Sequence, residues 1–272
     1  MRNKKYLIVL ISVVAILALA VFPVGAVTAG GEPDTNNDYP HVALMVAIDA
    51  NGFPLWRCSG TFLTDTVYLT AGHCTESPAV RAEIWLAQDV ESGIPGNGYP
   101  FTGDVSGVAY THPEYDPGAF FYRDVGVVVL DGGDTVDLPV YGVLPQLDEL
   151  DAMQGSGRAR NAKSNTFTAV GYGLQLINPV FIEAERVRHV AHPHLLQINV
   201  PGFTGDFSVL LSNNHSTGGT CFGDSGGPNF IGDSNVVGGV TSFGINGNCA
   251  GTGGVFRMDR SWSLDWVGSF LP

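Results

Sequence analysis

Three short segments of this chain carry side chains, a serine, a histidine and an aspartate, whose types suit nucleophilic attack on an acyl carbon. Ser225 sits in Gly223-Asp224-Ser225-Gly226-Gly227-Pro228, where glycines on both sides open backbone conformations closed to other residues and let a substrate come close. In such a turn the N–H groups of Gly223 and Ser225 can point together at an oxygen that is gaining negative charge. His73 follows the strand-like Val67-Tyr68-Leu69-Thr70 and adjoins Cys74, a residue able to pin the loop of a base that needs fixed geometry. Asp124 abuts the apolar run Val125-Gly126-Val127-Val128-Val129-Leu130. An acid there is costly to bury unless it accepts strong hydrogen bonds, as from an imidazole N–H. Taken singly, the first has a plainer reading as a tight turn between strands, and the second as a structural or surface histidine. Taken together they supply a nucleophile, its base, an acid to hold the base, and donors for the oxyanion.

The elements that must carry them read as strands. Thirty-six glycines and short apolar runs broken by Gly, Pro, Asn or Asp predict an all-β protein. Strands are predicted at residues 41–48, 60–63, 67–70, 83–86 and 125–130, then at 166–172, 207–211, 228–231, 236–243 and 254–258. Only near the end does the period change. Trp262, Trp266 and Phe270 recur every four residues, the apolar stripe of a short helix. Residues 93–103 and 148–165 are Gly-rich and read as loops. The second carries Arg158, Arg160 and Lys163 and is taken as a solvated face.

Residues 1–26 have the form of an export signal: Arg2, Lys4 and Lys5, an apolar stretch from Leu7 to Phe22, then Val24-Gly25-Ala26. An uncleaved membrane anchor is the alternative. Removal leaves 246 residues with ten basic and 26 acidic side chains, a formal charge of −16. That length suits one large domain or two small barrels. The acidity argues against nucleic-acid partners. Four cysteines in an exported chain indicate two disulfides in one of three pairings, and without a C-x-x-C pair structural zinc is not expected.

Taken in the order His73, Asp124, Ser225, the three segments resemble the signature motifs of the trypsin/chymotrypsin family. The likeness continues between them, in Cys58-Ser59-Gly60-Thr61, His112-Pro113-Glu114-Tyr115, Gly171-Tyr172-Gly173, Thr241-Ser242-Phe243-Gly244 and Gly254-Val255-Phe256. This resemblance implies two six-stranded antiparallel β-barrels, over about residues 27–140 and 141–258, and a C-terminal helix over about 259–270. It implies His73, Asp124 and Ser225 as a catalytic triad, Gly223 and Ser225 as the oxyanion hole, and disulfides Cys58–Cys74 and Cys221–Cys249. It further implies that Ser242, Phe243 and Gly244 pair with an extended substrate. A pocket based on Gly219 and Thr220, with walls at Gly244 and Gly254, would accept large apolar side chains.

The expected protein is therefore a secreted, monomeric serine endopeptidase acting on proteins or peptides, with no cofactor or metal and no lasting membrane attachment. The alternative is an inactive binding module on the same fold. An esterase, which uses the same acyl chemistry, is disfavoured because its usual G-x-S-x-G elbow on an α/β pattern is missing. One departure stands out. The family's mature chain usually begins at I-V-G-G after a basic residue, and its amine pairs with the acid before the nucleophile, here Asp224. This chain has Thr28-Ala29-Gly30-Gly31 with no basic residue just before it, and with cleavage after Ala26 the expected mature start is Val27.

Overall fold

The run Val42-Ala43-Leu44-Met45-Val46-Ala47-Ile48 is buried at every position. A strand apolar on both faces must be covered on both, and here it lies in a closed barrel against the second half of the molecule. The computed structural model describes residues 31–154, 165–178 and 181–272. The export signal, the mature start at Val27, Thr28-Ala29-Gly30, and the cluster of Arg158, Arg160 and Lys163 lie outside the described residues.

The first half contains β1 (Glu32–Pro33), β2 (Val42–Asp49), β3 (Pro54–Phe62), β4 (Val67–Thr70), the single-turn helix α1 (Gly72–Thr75), β5 (Ala79–Trp85), β6 (Val105–Thr111) and β7 (Gly126–Leu130). Six of these strands close a barrel in the order β2-β3-β4-β7-β6-β5. The pairing of β4 with β7 sets Thr70 opposite Gly126. That register brings the residues just after β4 alongside those just before β7. Glycine is required at 126, because a Cβ there would stand 2.4 Å from Thr75 Oγ1 and 2.5 Å from Ala71 O. Strand β6 was not expected from the sequence. Its apolar alternation is weak, and Gly107 serves a close approach, since a Cβ would stand 2.4 Å from Val129 O.

The second half holds β8 (Phe167–Gly171), β9 (Leu176–Asn178), β10 (Phe181–Glu183), β11 (His189–Ala191), β12 (Leu195–Val200), β13 (Gly205–Asn213), β14 (Pro228–Ile231), β15 (Val237–Gly244), β16 (Gly251–Arg257) and helix α2 (Ser261–Gly268). The expectation of two closed six-stranded barrels is corrected here. These strands form an eight-stranded sheet in the order β1-β11-β8-β14-β15-β16-β13-β12, with β9 and β10 a separate hairpin. Between β11 and β12 the chain passes His192-Pro193-His194. Pro193 has no N–H for a ladder, and the continuation is reduced to a single bridge between Thr166 and His194. β1 pairs with β11, so the start of the described chain straps onto the second sheet.

One apolar cluster joins the halves: Val42, Leu69 and Val127 pack with Val170, Val190, Phe230, Val240 and Phe256, and Trp262 and Trp266 of α2 lie against it. Two buried ion pairs cross-brace the second half. Arg188 Nε donates to Asp34 Oδ2 at 2.8 Å, and Arg257 Nη2 to Asp259 Oδ2 at 2.7 Å. The basic stretch 186–194 is thus structural in part. Its acids, Asp34 and Glu91, come from far away in sequence, and Arg186 Nη1 donates to Glu91 Oε2 at 2.7 Å.

Candidate active site

His73 stands in α1, directly after β4. The Cys58–Cys74 disulfide ties that helix to β3, and Trp56 Nε1 donates to Cys74 O at 3.0 Å. Asp124 precedes β7 and is fully buried. The β4–β7 register therefore delivers His73 and Asp124 to one another. Asp124 Oδ1 accepts the His73 backbone N–H at 2.9 Å, and His73 Nδ1 lies 3.1 Å from Oδ1 and 3.0 Å from Oδ2. From the other half, Ser242 Oγ donates to Asp124 Oδ2 at 2.5 Å. Ser242 is free to do so because β15 is irregular: Thr241 pairs with Val255 and Phe243 with Gly254, leaving Ser242 as the extra residue of a bulge.

The electrostatics follow from this geometry. Burial by itself would lower the His73 pKa; the charge and hydrogen bond of Asp124, with Glu76 adding to them, outweigh it and hold the imidazole above its ordinary value. A neutral imidazole fixed at Nδ1 presents Nε2 as a base.

Ser225 lies in the turn between β13 and β14. Its carbonyl accepts Ser59 N at 2.8 Å, and Ser59 Oγ donates to Gly223 O at 2.9 Å, so the first barrel grips the turn. Gly223 and Gly226 have φ of 95° and 76°, and a Cβ at 226 would stand 2.0 Å from Thr70 Oγ1. Among the described residues, no acceptor takes the N–H of Gly223 or of Ser225. Between them Asp224 is buried, and it accepts Gly173 N and Cys221 N at 2.8 Å each. Desolvation raises its pKa to about 6; those two hydrogen bonds and the charge of Arg57 offset only part of that cost.

His73 and Ser225 line one cavity of about 350 Å³, together with Thr220, Cys221, Phe222, Thr241, Ser242, Phe243, Gly244, Asn246, Gly247 and Cys249. The Cys221–Cys249 disulfide clasps two of its sides. Gly219 and Gly254 are not on this lining. A Cβ at Gly219 would meet the Asn213 carboxamide at 2.3 Å, and one at Gly254 would meet the Phe243 ring at 2.2 Å. The glycine that faces Thr220 is Gly253, 3.1 Å from Thr220 Oγ1 by the same measure. The bulge at Ser242 shifts the register by one residue, a displacement no motif reveals. No acid lines the cavity.

Sequence reasoning also passed over an aromatic group beside the site. Phe120 and Phe203 pack on Phe243 with ring centroids 5.3 and 5.8 Å apart. The triplet Phe120-Phe121-Tyr122, in the loop that leads through Arg123 to Asp124, was the signal available. The one grouping of metal-ligating side chains among the described residues is Cys58, His73 and Cys74. Its two sulfurs are bonded to each other.

The family described as Trypsin matches residues 28–266. The chain belongs to the trypsin family of serine proteases. A chymotrypsin of Phaedon cochleariae is 27% identical over 246 residues, covering 87% of this chain and 79% of the relative. Brachyurin of Leptuca pugilator is 26% identical over 249 residues, covering 88% and 96%. Among solved structures, HL collagenase superposes with a TM-score of 0.64 at 20% identity, covering 89% of this chain and 97% of that one. Human heparin binding protein follows at 0.62 and 18%, covering 89% and 95%. At such identities the structural likeness speaks for the fold alone. This trypsin-family chain has no helix among its described residues long and apolar enough to cross a membrane.

Proposed function

We propose that this protein is an active serine endopeptidase. The observation that carries the reading is the continuous line from Ser242 through Asp124 to His73, with Ser225 on the wall of the same cavity. In this reading His73 Nε2 takes the Ser225 Oγ proton as the oxygen attacks the substrate carbonyl. Asp124 holds the imidazole and stabilises its charged form. The unused N–H groups of Gly223 and Ser225 receive the oxyanion. The imidazolium then gives its proton to the departing amine, and a water repeats the sequence on the acyl-enzyme. His73 and Ser225 share the cavity without a direct hydrogen bond, a contact that apo sites commonly tighten only with substrate bound.

Substrate would lie extended along Ser242, Phe243 and Gly244, adding a strand to β15. The cavity offers no carboxylate, so a Lys or Arg side chain would lose hydration without a partner. Large apolar side chains would gain about 25 cal/mol for each Å² removed from water. Cleavage is expected after Phe, Tyr, Leu or Met. Phe222, 57% exposed at the mouth, is the side chain that would narrow the slot. Export by residues 1–26 and a mature start at Val27 complete the proposal. Ser225→Ala tests it: peptide hydrolysis should fall about 10⁴-fold or more with the fold intact. A near-parental rate would sink the assignment of Ser225, and a parent that hydrolyses no peptide would leave the inactive binding module as the better reading.

A further inference from the structure

The residue immediately before Asp124 holds a backbone conformation that its own side chain does not favour. Arg123 has φ of 55°, in the left-handed region where a residue bearing a Cβ is uncommon and persists only if its surroundings over-determine it. Those surroundings come from three parts of the fold. The guanidinium carbon lies 4.5 Å from the ring centroid of Trp262 on α2, 5.5 Å from Phe207 on β13 and 5.3 Å from its neighbour Tyr122. Arg123 Nε donates to Glu114 Oε2 at 3.1 Å, while Nη1 is buried with no hydrogen-bond acceptor. Ring faces are what that nitrogen has instead. The cage is continuous, because Phe207 packs against both Tyr122 and Trp262 at 4.8 and 5.3 Å. A cation stripped of water among aromatic faces is held more firmly than one at the surface.

What this clamp fixes is the turn that carries the acid. The Arg123 carbonyl accepts the Val125 N–H at 2.7 Å, closing a tight turn around Asp124. The Asp124 carboxylate meanwhile receives Ser242 Oγ from β15. An acid that belongs to the first barrel is thus anchored twice to the second half, by its carboxylate and through the caged side chain of its neighbour. Arg123 does not line the cavity, so it has no route to bind substrate there.

We propose that Arg123 is a positioning residue, whose aromatic cage sets the backbone turn that aims the Asp124 carboxylate at His73. The inference rests on the reading of His73, Asp124 and Ser225 as the reacting groups. A mere structural peg would cost stability when removed. A positioning residue costs turnover, because a displacement of about 1 Å in a catalytic array is worth roughly 10²-fold.

The mature protein is compared as parent, Ser225→Ala, Arg123→Ala, Arg123→Lys and Trp262→Phe, with kcat and KM measured per folded molecule by near-ultraviolet circular dichroism. Arg123→Ala should lose roughly 10- to 100-fold in kcat with KM within about twofold. Arg123→Lys should recover most of that loss, since an ammonium still sits on the ring faces. Parental kcat per folded molecule in Arg123→Ala, whatever its melting temperature, overturns the proposal. If that variant does not fold, the other two decide: a graded fall in kcat at constant KM supports the role, and an unchanged kcat overturns it. A readout without turnover keeps this claim apart from the catalytic one. The His73 titration followed by NMR should move to lower pH in Arg123→Ala if Asp124 is displaced, with Glu76 still in place. Loss of a nearby positive charge alone would move it to higher pH, and that result overturns the proposal even where Ser225→Ala has already disproved Ser225 as the nucleophile.

Discussion

The two halves of the molecule contribute to the site by different means. The first barrel fixes its pair by register: Thr70 faces Gly126 in the β4–β7 ladder, so His73 and Asp124 meet three residues after one strand and two before the other. The second half holds Ser225 in a turn shaped by positive-φ glycines and gripped from outside by Ser59. A base and its acid need a constant separation, which paired strands provide. A nucleophile flanked by oxyanion donors needs N–H groups left out of any ladder, which only a turn provides. Closure of the first barrel and openness of the second sheet match those two requirements.

The strongest way to break the comparison is to spoil the orientation that register provides. Asp124→Asn keeps the shape but not the charge, and should lower kcat on the order of 10⁴-fold. It should also move the acid limb of the pH–rate profile downward, because His73 loses the charge that raises its pKa. The sign can be checked separately. A raised folded-state pKa adds stability that is fully present below about pH 6.5 and lost as pH rises through the higher value. Activity runs the other way and requires the neutral imidazole. Parallel pH profiles of rate and of denaturant midpoint should therefore slope oppositely across that window.

Next in size are the disulfides, which separate the halves directly. The two bonds span 16 and 28 residues, and opening either should cost about 3 kcal/mol of stability in the chain-entropy model. Their effects on turnover should differ. Cys58→Ala with Cys74→Ala loosens the helix bearing His73 and should act mainly on kcat. Cys221→Ala with Cys249→Ala loosens the cavity and should act mainly on KM. Equal effects on both parameters from both pairs would erase the contrast drawn here.

Ser242→Ala removes one hydrogen bond to a buried carboxylate and should lower kcat by about 10- to 100-fold, measured with the same peptide. The smallest effect expected concerns His41, outside the site. It is buried against Phe230 with ring centroids 5.3 Å apart, and both ring nitrogens lack partners. Burial, then the charge of Arg188, lowers its pKa to about 4. A depressed pKa means stability that is present above about pH 6.5 and lost as pH falls toward 4. His41→Phe should stabilise by about 1 to 2 kcal/mol at pH 5 and less at pH 7, read from urea midpoints. No change in kcat should accompany it.

Legibility in the sequence followed locality. The motif around Ser225 was readable because glycines flank it within three residues, and the turn is made by those glycines themselves. The strand at residues 67–70 was readable from four consecutive apolar or β-favouring side chains, all buried in the fold. Strand β6 was not readable, since its glycine serves a carbonyl on another strand. Nor was the packing of the Phe243 ring on Gly254, which leaves that glycine off the cavity lining.

By itself, then, the sequence determined the strand-rich class, the three motifs that hold His73, Asp124 and Ser225, and the lack of a basic residue just before Thr28-Ala29-Gly30-Gly31. Each is a matter of residue type over a few neighbouring positions, and period, turn chemistry and charge are local quantities. Tertiary structure alone decided that the second sheet stays open at Pro193, that Ser242 rather than a neighbour reaches Asp124, and that Arg123 is caged by Trp262 and Phe207. Those outcomes depend on ladder register and on side chains up to 139 positions apart. A slip of one residue in pairing redirects every side chain on a strand to the opposite face, and no local pattern records which slip has occurred.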